Sequence, residues 1–262
     1  MSRIDPTQRS ARGAKLQAAY TGSEPAEPAT LYDESWRDFI FAEIWSREGL
    51  DLRARFLISL ASAAGAGDRD AVAAYVRGAL STETLTQLEL REAAVHVAVY
   101  TGWSAGRLID EGLTVALEKL GIDPARSEPL GATPWDTQER MERGFAEFNN
   151  VMTFDGPPVG NGFPYLQDGI LNFVFGEMWH REGLDQRSRR FLTLVGVADS
   201  AADTPIRSHF HAAMGSGNCT AAELHEFVLQ YAVHAGWPKA SVIQGVVFEM
   251  AAKIDKGLAW NG

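Results

Sequence analysis

Apolar positions recur at three- and four-residue spacing after Asp51 and again after Asp185, the period of a helix that buries one face. Each aspartate directly follows Gly-Leu and stands where a side-chain cap opens a helix. Thr86-x-x-Glu89 and Thr220-x-x-Glu223 have the spacing of capping boxes, each ahead of a long apolar run. Gly102 and Gly236 fall where those runs end and predict C-caps. Thr204-Pro205 predicts an N-cap followed by proline in the first helical position, and Trp237-Pro238 reads the same way. Alternation of period two between hairpin turns is absent, so the fold class is all-α.

The pattern is written twice. FAEIWSREGLDLRARFLISL at 41–60 aligns with FGEMWHREGLDQRSRRFLTL at 175–194, an offset of 134 residues. TQLELREAAVHVAVYTGW at 86–103 aligns with TAAELHEFVLQYAVHAGW at 220–237 at the same offset. A period this long predicts duplicated domains rather than a solenoid. The expected organisation is an extended N-terminal arm at 1–30, a first repeat at 31–121 and a linker at 122–164 that holds a helix and a Gly/Pro loop. A second repeat follows at 165–262. TGSEPAEPAT at 21–30 and GIDPARSEPLGATPWD at 121–136 read as irregular, as does FDGPPVGNGFP at 154–164, where a loop of that length suits a site mouth or a subunit contact.

Composition narrows the function. The 262 residues are 45% hydrophobic, enough for a proper core, and carry a net charge of −10, which opposes a nucleic-acid partner. The first fifteen residues contain no apolar signal-type run and no stretch is long enough for a membrane helix, so a cytoplasmic protein with no membrane partner is expected. The single cysteine, Cys219, excludes an intramolecular disulfide and a Cys-x-x-Cys pair, and reads as a small, partly buried residue. P-loop, GxGxxG and GxSxG motifs are also missing.

Three constellations could carry chemistry. Glu92, His96 and Tyr100 lie at i, i+4 and i+8 and form a polar stripe on an apolar helix; Glu226, Gln230 and His234 form its counterpart. The stripe is either a structural Glu–His lock between helices or a proton-handling face. Arg207-Ser208-His209-Phe210-His211 places two histidines at i and i+2, which diverge on a helix, so no metal site is expected. One of them is expected to face an interior cavity and the other the surface or a partner subunit. Arg53/Arg55 and Arg187/Arg189 sit near helix N-termini, either paired with Glu43/Glu48 and Glu177/Glu182 or gripping a substrate carboxylate. The tryptophans Trp45/Trp179 and Trp103/Trp237 read as core.

GEMWHREGLDQRSRRFLTL, a His-bearing helix after it and then the Glu-bearing capped helix resemble the carboxymuconolactone decarboxylase family. FAEIWSREGLDLRARFLISLA and ELREAAVHVAVYTGW resemble it again, and Gly13 to Leu16 with Tyr32 to Phe39 is similar to its leader. The resemblance implies two tandem copies of an alkylhydroperoxidase-D-like helical bundle. The Cys-x-x-Cys and glutamate of the peroxidase branch map to Ala202, Pro205 and Arg190, with Asp68, Ala71 and Phe56 in the first copy, so a disulfide relay is excluded. The family's helix histidine matches His209, with Tyr75 opposite, and the stripe histidine matches His96, with Gln230 opposite. Either one complete pocket forms between the copies, or only one pocket is active.

What the resemblance implies is a lyase that needs no cofactor and acts on a small carboxylated lactone, the electrons of the lost CO2 passing into the ring as a dienolate. The expected catalytic residues are His209, Glu226, His234, His96 and Glu92: His209 or His234 donates the proton and Glu226 orients it. Arg189, Arg187, Tyr231, Trp237 and His211 are the expected substrate contacts. An isomerase or lactone hydrolase would use the same equipment, and a non-catalytic helical scaffold would keep the stripe for structure alone. Single-copy members of the family resemble ring-shaped hexamers, so a fused pair is expected to assemble as a homotrimer. Light scattering on the purified chain should give the mass of three subunits, and a monomer would contradict the expectation.

Overall fold

Side-chain caps set the helix starts. Asp51 accepts from Ala54 N (2.8 Å) and Asp185 from Ser188 N (2.7 Å), opening α3 (Leu52–Ala66) and α8 (Gln186–Ser200). Both capping boxes are formed, at the heads of α5 (Gln87–Thr101) and α10 (Ala221–Ala235). These helices end at Gly102 (φ 105°) and Gly236 (φ 87°), a backbone conformation that costs a residue without Cβ little. The chain turns there straight into α6 (Trp103–Leu120) and α11 (Trp237–Asp255). The computed structural model describes residues 4–131, 136–156, 158–160 and 162–262. Among the described residues there is no strand and no helix long and apolar enough to cross a membrane.

The remaining elements complete two similar runs. In the first half, α1 (Arg9–Thr21), α2 (Leu31–Ser35) and a π-helical stretch, π1 (Trp36–Ile44), precede α3, and α4 (Arg69–Ser81) separates α3 from α5. In the second half, α7 (Thr137–Met152) and π2 (Tyr165–Phe175) precede α8, and α9 (Asp203–Gly215) separates α8 from α10. The wider π turn closes with Trp45 N–H reaching the Ile40 carbonyl (3.0 Å), five residues back.

Two expectations shift. Residues 9–21 of the expected extended arm are helical, and 24–29 run without regular structure. α1 is polar, and it docks on π1 through Gly13, where any Cβ would collide with the Arg37 carbonyl. Gly144 of α7 does the same against the Leu171 carbonyl of π2. Apart from Gly13, α1 meets the core through Leu16 and Tyr20, and so short an apolar stripe is why the pattern missed it. The second shift is at α9, which starts at Asp203 after Ala202, so Thr204 lies inside the helix rather than capping it. Pro205 still falls in the first turn, where no N–H is needed. The expected linker at 121–136 is irregular up to 131, and its residues 132–135 lie outside the described ones, as do 157 and 161 of the Gly/Pro loop.

α3 and α8 are buried on every side, from Ala54 to Ala64 and from Ser188 to Ala198. They pack against each other at the centre of the molecule. The other neighbours cross over: α5 lies on α8 of the opposite half, and α10 lies on α3. The halves therefore share one core, which runs from Phe41 through Phe56, Phe191 and Phe227 to Met250. Cys219 is buried in it, and burial raises its thiol to about 12.

The glycine contacts are open to test. Gly144→Ala should lose about 1–3 kcal/mol in urea unfolding, as overpacked sites do. Gly245→Ala, on an open face of α11 with nothing near the new methyl, should instead gain up to about 1 kcal/mol from helix propensity.

Candidate functional site

The repeated Arg-Glu-Gly-Leu-Asp segment reaches across the molecule. Arg47, just ahead of α3, grips Glu226 of α10, with Nε at 2.7 Å from Oε2 and 3.1 Å from Oε1. Arg181, just ahead of α8, grips Glu92 of α5 at 2.7 and 2.5 Å. The glycine two residues on explains the rest of the motif: a Cβ on Gly49 or Gly183 would strike the Glu226 or Glu92 side chain. Each clamp is bidentate and mostly out of water, the geometry in which a guanidinium–carboxylate pair is strongest. Arg47 accordingly holds the Glu226 carboxyl below its usual range.

Next along each stripe the halves differ. On the first clamp, Arg55 donates to Gln230 Oε1 (2.7 Å) and to the Arg47 carbonyl (2.8 Å), and Gln230 passes a hydrogen bond to Ser59 (2.8 Å). On the second, Arg189 donates to the Arg181 carbonyl through one Nη, and its buried Nη1 has no partner. His96 stands in the place of Gln230, with Nε2 2.8 Å from Thr193 Oγ1.

The last stripe residues, Tyr100 and His234, each belong to a tyrosine–histidine pair. In the first cluster Tyr75 of α4 is hydrogen-bonded through its hydroxyl to His234 Nε2 (3.0 Å), and Trp36 packs edge-on to the same imidazole at 5.8 Å. In the second, Tyr100 of α5 meets His209 of α9 edge-on at 5.8 Å and accepts from Trp179 Nε1 at 2.9 Å. His96 lies 5.1 Å from the Tyr100 ring and 5.2 Å from Trp179. Tyrosine and histidine have thus exchanged elements between the halves. Arg190 adds a second guanidinium to this cluster where the first has Phe56. It lies over Trp179 at 5.3 Å and donates to the Val151 carbonyl and to Asn218 (3.0 Å), and its buried Nη1 is unpartnered. A cavity of about 350 Å³ lies between the clusters, lined by Tyr100, His234, Thr101, Asp199 and Lys239.

Burial sets the charges. It pulls His209 down to about 3, helped by Arg190, and pulls His96 well below the usual imidazole range, helped by Arg189. His234 falls to about 4, against the opposing pull of Asp68. All three are neutral near pH 7. Arg189 and Arg190 drop only to about 10 and stay charged, whereas burial raises Tyr100 to about 12.

A model of the carboxymuconolactone decarboxylase family matches residues 31–108. Nitrosuccinic acid decarboxylase npaB of Metarhizium robertsii is 33% identical over 155 residues, which cover 58% of this chain and 87% of that protein. The chain belongs to the carboxymuconolactone decarboxylase family. A second member, the 4-carboxymuconolactone decarboxylase of Acinetobacter baylyi, is 29% identical over 93 residues, 36% of this chain and 66% of that protein.

Set against this family's fold, the expected site residues divide. His209, His96 and Glu92 gather in the second cluster with Arg189. Glu226 and His234 belong to the first, so Glu226 does not orient His209; its carboxylate is held by Arg47 and Arg55. The other expected substrate contacts are tied elsewhere. Arg187 pairs with Asp51 and Glu223, Tyr231 donates to Asp199 (2.8 Å) and His211 Nε2 meets the Leu258 carbonyl (2.9 Å). Both His209 and His211 are buried, and no group of three His, Cys, Asp or Glu converges among the described residues. Trp237, expected in the core or on a pocket wall, is half exposed beside Phe39, and Trp103 is likewise exposed. Arg53, Arg55 and Arg187 form ion pairs, with Glu89, Glu226 and Glu223, but the expected Glu43 binds Arg9 and Glu177 binds Arg140 instead. The sequence analysis placed Tyr100 in the stripe and named Tyr75 and Arg190 only as counterparts of family residues, without a role in the site, and it missed the clamp arginines Arg47 and Arg181. The signal was present in two consecutive arginines within a helix buried all round, and in an arginine repeated at the same place in both motifs.

The neutral histidines make stability pH-dependent. Unfolded imidazoles take protons near ~6.5, but His209 and His234 do so in the folded state only near 3 and 4. Stability is therefore complete above pH ~6.5 and falls as the pH drops, by up to ~1.4 kcal/mol per pH unit for each such histidine. Urea unfolding between pH 8 and 4.5 should show this slope, and His209→Asn should flatten it.

Proposed function

We propose that the second cluster is the active site of a decarboxylase that requires no cofactor and acts on a small carboxylated molecule. What carries this reading is a set of unpartnered polar atoms: Nη1 of Arg189, Nη1 of Arg190 and Nδ1 of His209, all buried around Tyr100. Two guanidiniums stand there; the carboxylates that act on them are Glu92, already clamped by Arg181, and Asp185 for Arg189, and Glu147 for Arg190. Buried donors left without acceptors favour an anion that supplies them. Both named relatives are decarboxylases, and their names specify carboxylated substrates, one bearing a nitro group and one a lactone.

The chemistry needs an electron sink next to the carboxylate. The bond from carbon to the carboxyl group breaks and CO2 leaves. The bonding pair moves to an oxygen of the adjacent nitro group or unsaturated lactone, and a proton then adds at carbon. Arg189 and Arg190 stabilise the oxygen on which charge grows, in a site where low polarity strengthens each interaction. His209 supplies the proton. Its low proton affinity comes from burial and from Arg190, and an anion bound against Arg190 removes the second cause and adds attraction of its own. Substrate and proton enter together.

CO2 release from nitrosuccinate and from 4-carboxymuconolactone tests the reaction, since isomerisation or lactone opening conserves every carbon. Arg190→Leu and His209→Asn should each lower kcat/KM by about 10²-fold or more with helicity unchanged. Full activity in either variant would remove that residue from the mechanism.

A further inference from the structure

The first cluster differs from the second in the sign of its chemistry. His234 presents Nε2 to the Tyr75 hydroxyl and Nδ1 toward Asp68 Oδ2, 4.0 Å away. With the Nδ1 proton facing the carboxylate, Nε2 accepts the phenolic proton, and the buried Tyr75 oxygen has Trp45 as its other neighbour. Tyr75 and Asp68 both line a groove of about 590 Å³ that runs under the segment leading into α2. On one side of it Tyr32 and Trp36 stack at 6.3 Å with an interplanar angle of 17°. Its charged lining is Asp33, Asp68, Asp70 and Glu27 against one guanidinium, that of Arg77. Arg55 cannot offset this, because it is committed to Gln230 and Glu226, and Phe56 stands where the second cluster has Arg190.

We propose that this groove is a second ligand site, for a small aromatic ammonium compound whose N–H groups meet Asp68 and whose charge lies against the Tyr32–Trp36 stack. Carboxylates that accept, together with aromatic faces that attract cations, form the complement of a protonated amine. They repel the carboxylated substrate of the second cluster. The chain thus holds two sites of opposite preference, related by the exchange of a tyrosine and a histidine.

Benzylammonium and benzoate, equal in ring size and opposite in charge, are the probes, read by calorimetry on the full chain. Benzylammonium should bind in the millimolar range or tighter and benzoate should not compete with it. Asp68→Asn, which keeps the cap on α4 but removes the charge, should weaken benzylammonium by about tenfold, and Trp36→Leu should do the same. A crystal soaked with the amine should show it against Trp36. Failure of benzylammonium to bind, binding by either variant as tight as by the unaltered chain, or displacement by benzoate would overturn the proposal. The readout is binding alone, so its failure is distinguishable from a failure of decarboxylation at the second cluster.

Discussion

The molecule depends on two arginine–glutamate clamps that cross between its halves. Each joins a loop ahead of a central helix to the capped helix of the opposite half, and each is shielded enough that losing one partner would strand a charge. The clamps fix the rotation of α5 on α8 and of α10 on α3. That rotation aims the whole i, i+4, i+8 stripe inward. Without it, Gln230 and His96 would not meet Ser59 and Thr193, and no tyrosine–histidine pair would form.

On this common frame the halves diverge by few substitutions with large electrostatic effect. Arg190 for Phe56 and His96 for Gln230 turn one cluster into a region of excess positive charge and surplus donors. In the other, both Nη atoms of Arg55 are occupied, its buried Nε alone being without a partner, and the nearby groove is acidic. Desolvation does the rest: it keeps the imidazoles neutral while leaving the guanidiniums charged, because guanidinium starts so far above neutral pH.

Much of the architecture was legible in the chain. Asp51, Asp185 and the two capping boxes are local signals, satisfied within four residues, and each predicted its helix start. α1 escaped because it packs through Gly13 and only two apolar side chains, Leu16 and Tyr20, too few to set a period. The candidate site was legible residue by residue, but not in its grouping. His209 and His96 were singled out, yet the pairing of Glu226 with Arg47 and of Glu92 with Arg181 is a tertiary fact. Nothing in a single strand of text says that each stripe faces the other half. Arg190 escaped for a related reason: a charge inside an apolar helix acquires meaning only when the surrounding burial is known.

The crossed packing of α5 on α8 and α10 on α3 bears on how such a chain can be divided. Cut anywhere between residues 121 and 131, neither fragment would keep a filled interior, since each lends its capped helix to the other. The described part of the joining segment is itself built in, its Glu128 carbonyl accepting from the clamp arginine Arg181 at 2.7 Å and Gly131 N–H donating to Glu177 at 2.8 Å, and the fold is an obligate handshake. Recombining halves from different relatives would succeed only where both crossing interfaces are inherited as a matched set.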